Sequence, residues 1–291
     1  MNLLAKLNLS LVGVFVLALV PAALISRHLL DRNAESQVID NARIMMETAM
    51  AVRGYTVDQV KPLLAPMLAE TFLPQSVPAY SATEVFNSLR ERHPEYTYKE
   101  ATLNPTNPRN RAVDWEADLV NEFRRDGTRG EIVGRRDTPL GPALYLSQPI
   151  RISNAACLSC HTTPAEAPPA MVAAYPSGGG YGWQIDEVIG AQIVQVPLAT
   201  PVRMADEAFR TMLATLVGVF AFILVALNLL LHLVVVRPVR RLSAMADRVS
   251  RGELEVEDVP ARGGDEVAVL AGSFNRMRIS LVTALKMLEN D

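Results

Sequence analysis

The chain has 291 residues and a formal net charge of −3; 49% of its residues are hydrophobic but only 6% aromatic, and its mean hydropathy is +0.16. The aliphatic excess gathers in two runs, which rules out both a purely soluble protein and a polytopic transporter. The near-neutral balance argues against a nucleic-acid binder, and two cysteines, Cys157 and Cys160, are too few for a disulfide scaffold or a structural zinc site.

Residues 1–6 are expected in the cytoplasm. Residues 7–26, LNLSLVGVFVLALVPAALIS, carry no charge and at about 1.5 Å per residue just span a hydrocarbon core of roughly 30 Å. The run is long for a signal-peptide core and reads as an uncleaved anchor. A cleaved signal with small residues around Pro21-Ala22-Ala23 is the alternative. Pro21 is a potential kink.

Residues 27–209 make one extracytoplasmic domain of ordinary size. Its pattern predicts a long helix over 29–53, a second over 62–70, and a third over 82–90. Ser81 is the expected cap of the third, with Glu84 completing a capping box. A strand over 96–102 leads to the breaker-rich loop Asn104 to Arg111 and a helix over 114–124. Strands are expected over 130–135, 143–152 and 187–196, the last ended by Pro197.

Between the last two strands stands Cys157-Leu158-Ser159-Cys160-His161, which fits C-x-x-C-H, the covalent attachment motif of c-type haem. Two thiols at this spacing reach the two vinyl groups on one porphyrin edge, and the adjacent imidazole becomes an axial iron ligand. A thioredoxin-like dithiol is the competing reading. The motif uses both cysteines of the chain, its segment reads as a loop, and the expected topology puts it outside the cytoplasm. These three points favour one covalently held haem c, with His161 as iron ligand.

The sixth ligand is open among several candidates. His93 is the other histidine of the domain, since His28 lies at the membrane boundary. Met46 and Met50 fall one turn apart on a helix face, Lys61 sits at the Val60-Lys61-Pro62 break, and Met171 follows in a Pro- and Ala-rich loop. Each has an ordinary reading as well: solvent-facing histidine, core methionine, surface cation. An open or water-bound site stands beside them. Arg109 and Arg111 suit haem propionates or are plain solvated loop cations. Trp183 and Tyr181 either pack on the porphyrin edge or belong to the core.

The layout resembles the extracytoplasmic c-type haem sensor domains with a PAS-like fold, long catalogued as a domain of unknown function. The resemblance rests on Ala51 to Thr56, Val60 to Leu64, Tyr96 to Ala101, the Asn104 to Arg111 loop with Trp115-Glu116, the haem motif, and Gly190-Ala191. It covers about residues 35–198 and implies a haem-bearing sensor joined to a signalling output.

Residues 211–236, TMLATLVGVFAFILVALNLLLHLVVV, form the second expected span. Its one titratable group, His232, is a proton site or an interfacial residue. Arg237, Arg240 and Arg241 after the span, against Arg203 and Arg210 before it, place the C-terminus in the cytoplasm.

In residues 237–291, Leu242, Met245 and Val249 mark a first helix that Arg251-Gly252-Glu253-Leu254 breaks. Asp265-Glu266 open a second, whose apolar seam Val267, Leu270, Phe274, Met277, Leu281, Ala284 and Leu288 steps by three and four. With Arg237-Pro238 and Phe274 to Met277, these features resemble a HAMP domain. That implies a parallel two-chain bundle, hence a homodimer, and transmission of a packing signal.

The expected fold class is therefore α+β: a membrane-anchored, PAS-like mixed α/β sensor domain between two transmembrane helices, followed by a parallel coiled-coil HAMP helix pair. The expected function is a membrane-bound haem sensor in the bacterial inner membrane. It passes a redox or small-ligand signal, from a small gas or a redox partner, through HAMP to a cytoplasmic effector in trans. A membrane-anchored cytochrome acting in electron transfer is the first rival and a haem-free receptor the second. No catalytic constellation is legible, and no enzymatic activity or nucleic-acid partner is expected.

Overall fold

The structure, a computed structural model, describes residues 3–68, 70–176, 179–253, 256–260 and 263–289. It divides into two compact units, Ile25–Phe209 and a second formed by Met1–Leu24 with Arg210–Asp291.

In the first unit, four antiparallel strands, β1 (Thr97–Thr102), β2 (Ile132–Thr138), β3 (Gly141–Arg151) and β4 (Val188–Pro197), form one sheet in the order β1-β4-β3-β2. Alternation along the strands sorts the side chains onto two faces. On one face Tyr98, Leu144, Leu146, Val194 and Val196 pack with Val38, Ala42, Met46 and Ala49 of helix α1 (Leu3–Tyr55). Ala82 and Phe86 of α3 (Pro78–Arg90) join them. On the other face Ala101, Ala191, Ile193 and Ile132 pack with Leu119, Val120 and Phe123 of α4 (Asp114–Arg125). The Val38, Ala42, Met46, Ala49 spacing is the 3.6-residue period of a helix laid on a sheet.

Pro21 lies within a continuous α1. A π-helical segment, Thr56–Val60, separates α1 from α2 (Lys61–Leu68). The expected Ser81 cap is corrected: α3 begins earlier, with Val77 in the cap position and Pro78 at the first helical residue. Proline is preorganised for that place and loses no needed N–H there. Ser81 is inside the helix and donates its hydroxyl to the Gln75 carbonyl at 3.1 Å. At α4 the Glu116 carboxylate accepts from the Val113 N–H at 3.0 Å and from Lys99 Nζ at 2.6 Å.

Among the described residues, two helices are long and apolar enough to cross a membrane, within Leu4–Leu68 and Ala199–Ser250. In the second unit, Asn8 and Asn228 exchange amide hydrogen bonds at 3.0 and 2.8 Å, and the Phe15 and Phe220 rings stack at 3.8 Å. Helix α7 (Ala199–Leu231) passes into a π-helical segment, His232–Val236, and then α8 (Arg237–Ser250). Gly252, at φ +91°, ends α8 in the left-handed region. The Asp265 carboxylate accepts from the Ala268 N–H at 2.8 Å and caps α9 (Glu266–Glu289).

Leu242, Val249, Val256, Val259, Ala271 and Phe274 form the core beside these helices. The predicted seam is thereby divided. Phe274 is buried within the chain, while Leu270, Met277 and Leu281 are exposed. Leu254 and the side chain of Leu288 lie outside the described residues.

Candidate functional site

Cys157, Cys160 and His161 lie in the long connection between β3 and β4. Its two ends are tied by Ile152 N–H to the Glu187 carbonyl at 3.0 Å and Asp186 N–H to the Ile152 carbonyl at 2.9 Å. The loop expected here is a short helical turn: a 3₁₀ turn Ala155–Cys157 runs into α5 (Leu158–His161). Asn154 nucleates it by accepting from the Ala156 N–H at 2.8 Å. Helical spacing of three and four brings Cys157, Cys160 and His161 to one side of the turn. Both cysteines are free thiols, half-buried.

The imidazole is held from behind. Its Nδ1 lies 2.6 Å from the Gly180 carbonyl oxygen. A carbonyl only accepts, so Nδ1 carries the proton and the Nε2 lone pair is left for a ligand-binding role. Trp183 stacks on the ring at 3.8 Å and 17°, which settles the position of this tryptophan: it braces the imidazole. Burial holds the His161 pKa below the ordinary histidine value, against the opposing pull of the Gly180 carbonyl, and favours the neutral ring.

The strap that presents Gly180 is itself fixed. Gly182 N–H donates to the Thr162 carbonyl at 2.7 Å, Trp183 N–H to that of His161 at 3.2 Å, and Gly179 N–H to that of Pro105 at 3.0 Å. Gly180, at φ +79°, sits so close to Thr106 that a Cβ would strike it, so the position demands glycine. The Asn104 to Arg111 loop therefore braces the His161 strap. Gly178 is outside the described residues.

A second polar group lies on the sheet face under α1. Glu100, Gln192 and Gln148 form a row across β1, β4 and β3. Glu100 is 4% exposed and accepts from Arg53 at 2.5 and 2.6 Å and from the Tyr98 hydroxyl at 2.7 Å. Gln192 donates to Tyr98 Oη and to Met50 Sδ, both at 3.3 Å. Burial disfavours the Arg53 cation, yet the fields of Glu100, Tyr98 and Cys157 and the hydrogen bond to Glu100 outweigh it and raise its pKa. Burial and the Glu100 carboxylate also drive the Tyr98 pKa upward.

The other predicted residues disperse. Arg109 pairs with Glu84 at 2.5 Å and lies over the Tyr80 ring. Arg111 is exposed; its carbonyl accepts from Lys99 Nζ at 2.9 Å. His93 is exposed, 4.0 Å from Glu95 and edge-on to Tyr96. Lys61 is exposed at the start of α2. Met46 is 1% exposed in the core. Met171 is corrected from loop to helix, being buried on α6 (Pro169–Ala174). Sequence reasoning missed the Gly180 carbonyl and the Arg53–Glu100–Tyr98–Gln192 group. The one available signal for the latter was a glutamate and a glutamine recurring at core-facing strand positions.

The Tll0287-like family model matches residues 31–197, which is more than half of the chain. The chain belongs to the Tll0287-like family. Behind the Tll0287-like domain, the HAMP domain model matches residues 230–283. Among solved structures, the Tll0287-like chain is similar to the cyanobacterial heme-protein Tll0287. That crystal structure is 18% identical, with a TM-score of 0.39, and the match covers 51% of this chain and 92% of the other. No curated protein matches.

Proposed function

We propose that this Tll0287-like protein is a membrane-bound c-type haem sensor that relays a redox or small-ligand event through its HAMP domain to a cytoplasmic effector. The observation that carries the reading is the C-x-x-C-H turn. Cys157 and Cys160 share a side with His161, whose Nδ1–H donates to the Gly180 carbonyl and whose Nε2 lone pair faces away from that bond. An axial histidine needs that arrangement: its outer nitrogen donates to a carbonyl, which fixes tautomer and ring orientation. In this role Cys157 and Cys160 form the thioethers, His161 ligates the iron, and Trp183 with the Gly180 strap holds the ring. Bound haem would supply a one-electron couple, and an iron site for a diatomic ligand wherever no second side chain holds the metal. The family match agrees with this group, Tll0287 itself being a heme-protein.

The two apolar helices are read as membrane spans, with residues 27–209 outside and the HAMP domain inside. The arginines after the second span support that orientation. Leu270, Met277 and Leu281, exposed on α9, are the strip that a second copy covers in a parallel bundle. A PAS-like domain is consistent with the antiparallel sheet flanked by helices. A membrane-anchored electron carrier shares the haem, but a HAMP domain adds nothing to electron transfer, so the sensor reading is preferred.

The test is mass spectrometry of denatured protein from a host that matures c-type haem, followed by disulfide crosslinking of Leu281→Cys in membranes. The expected result is one haem added to the chain mass, lost in Cys157→Ala/Cys160→Ala, and crosslinking that changes between oxidised and reduced haem. A chain without attached haem defeats the haem reading. Attached haem with crosslinking indifferent to redox state favours the electron carrier.

A further inference from the structure

We propose that the Met50 thioether would be a second protein ligand to the haem iron, besides His161. This rests on the haem reading above.

Sheet topology decides where to look. Strands β1 and β3 run in the same direction, both antiparallel to β4. The C-x-x-C-H connection leaves from the C-terminal end of β3, so the site lies at that end of the sheet. There the Thr102, Gly190 and Ile150 row and the Glu100, Gln192 and Gln148 row succeed one another. His93 precedes β1 and belongs to the other end, about 17 Å away for a six-residue strand.

On the α1-facing side the core residues Leu144 and Leu146 of β3 are buried, but Gln148 and Ile150 are only half-covered. The sheet face is therefore open next to the departing connection. Helix α1 runs toward this opening: Met46 lies in the closed core, Met50 one turn later touches Gln192, and Arg53 pairs with Glu100. The two methionines that the sequence left equivalent are thus different. Met46 at 1% exposure has no room for a ligand, whereas Met50 at 47% stands at the rim of the opening.

The sulfur of Met50 is also oriented. Gln192, 4% exposed, donates its amide to Sδ at 3.3 Å, and the same amide donates to Tyr98. A core methionine needs no such partner. A thioether held by a buried amide is preorganised in the way that outer-shell hydrogen bonds orient first-shell ligands. It is a soft donor suited to haem iron, and histidine–methionine ligation raises the reduction potential.

The experiment is near-infrared and visible absorption of the oxidised full-length protein, with haem attachment checked by mass in every sample. The expected result is a thioether-to-iron charge-transfer band in the parent that Met50→Ala and the volume-conserving Met50→Leu abolish with the haem still attached. Their midpoint potential should fall, while Met46→Ala keeps the band. Met50→His should give a bis-imidazole spectrum. A parent without the band, or a band that survives in Met50→Ala and Met50→Leu, overturns the assignment and leaves the haem reading standing. A chain with no attached haem overturns both.

Discussion

Replacing Arg53 by methionine keeps the length of the side chain and removes its charge, which leaves the Glu100 carboxylate 4% exposed with only the Tyr98 hydroxyl as donor. Stranding one member of a buried ion pair costs about 3–5 kcal/mol. Arg53 keeps 23% of its side chain exposed, so water reaches that edge and the lower half of the range is expected. For a unit of this size each kcal/mol moves Tm by about 2–4 °C, giving a fall of roughly 6–16 °C. The double variant Arg53→Met/Glu100→Gln removes the orphaned charge as well, and its neutral amide still accepts from Tyr98. It should recover at least half of the loss, since replacing both partners is far less costly than removing one. Thermal unfolding of the full-length protein in detergent, followed by circular dichroism above 210 nm to separate sheet from helix loss, reads the difference. If the single variant melts within about 2 °C of the parent, or the double variant melts lower than the single, the pair does not hold α1 to β1 as described.

Two further expectations follow from neighbouring geometry. Trp183→Ala removes a stacked ring worth about 0.5–1.5 kcal/mol and should lower Tm by about 1–6 °C, with Trp183→Phe closer to the parent; equal losses in the two would mean that the stack is incidental. Tyr98 has a folded-state pKa raised by burial and by Glu100, with the Arg53 cation opposing. The stability that this provides is fully present below the ordinary tyrosine value of about 10 and is lost as pH rises beyond it. Tm should therefore decline above about pH 10 in the parent and less steeply in Tyr98→Phe; parallel slopes in the two would refute the assignment.

Much of the fold was legible because its signals are local. The sequence pattern placed β1, β3 and β4 within a few residues of their observed ends, and the unbroken apolar runs fall within two helices long and apolar enough to cross a membrane. The C-x-x-C-H motif was legible from its spacing, and the structure sets its three residues on one helical turn. What failed was whatever tertiary packing decides. The Ser81 capping signal lost to Pro78, whose fixed φ starts α3 earlier in the chain. The Pro- and Ala-rich stretch at Met171 looked like a loop, yet burying Met171 folds it into a helical turn. Arg109 was open to a haem propionate or to plain solvation, and periodicity gave no sign of its ion pair with Glu84. The seam from Val267 to Leu288 was read as one stripe because periodicity cannot say which neighbour covers each residue; Phe274 turned out to face its own chain.

The π-helical segment His232–Val236 between α7 and α8 has a consequence for the helical phase of the residues on either side of it. A π turn accommodates one residue more than the α-helical ladder, and each residue advances the helix by about 100°. Residues of α7 before the segment and the stripe carrying Leu242 and Val249 on α8 are thus offset by that step from one unbroken α-helical phase. Sliding the bulge along the backbone would turn the residues it passes by the same angle without breaking the helix or moving either end lengthwise. Deleting one residue between positions 232 and 236 would erase the offset and set α8 in the α-helical phase of α7.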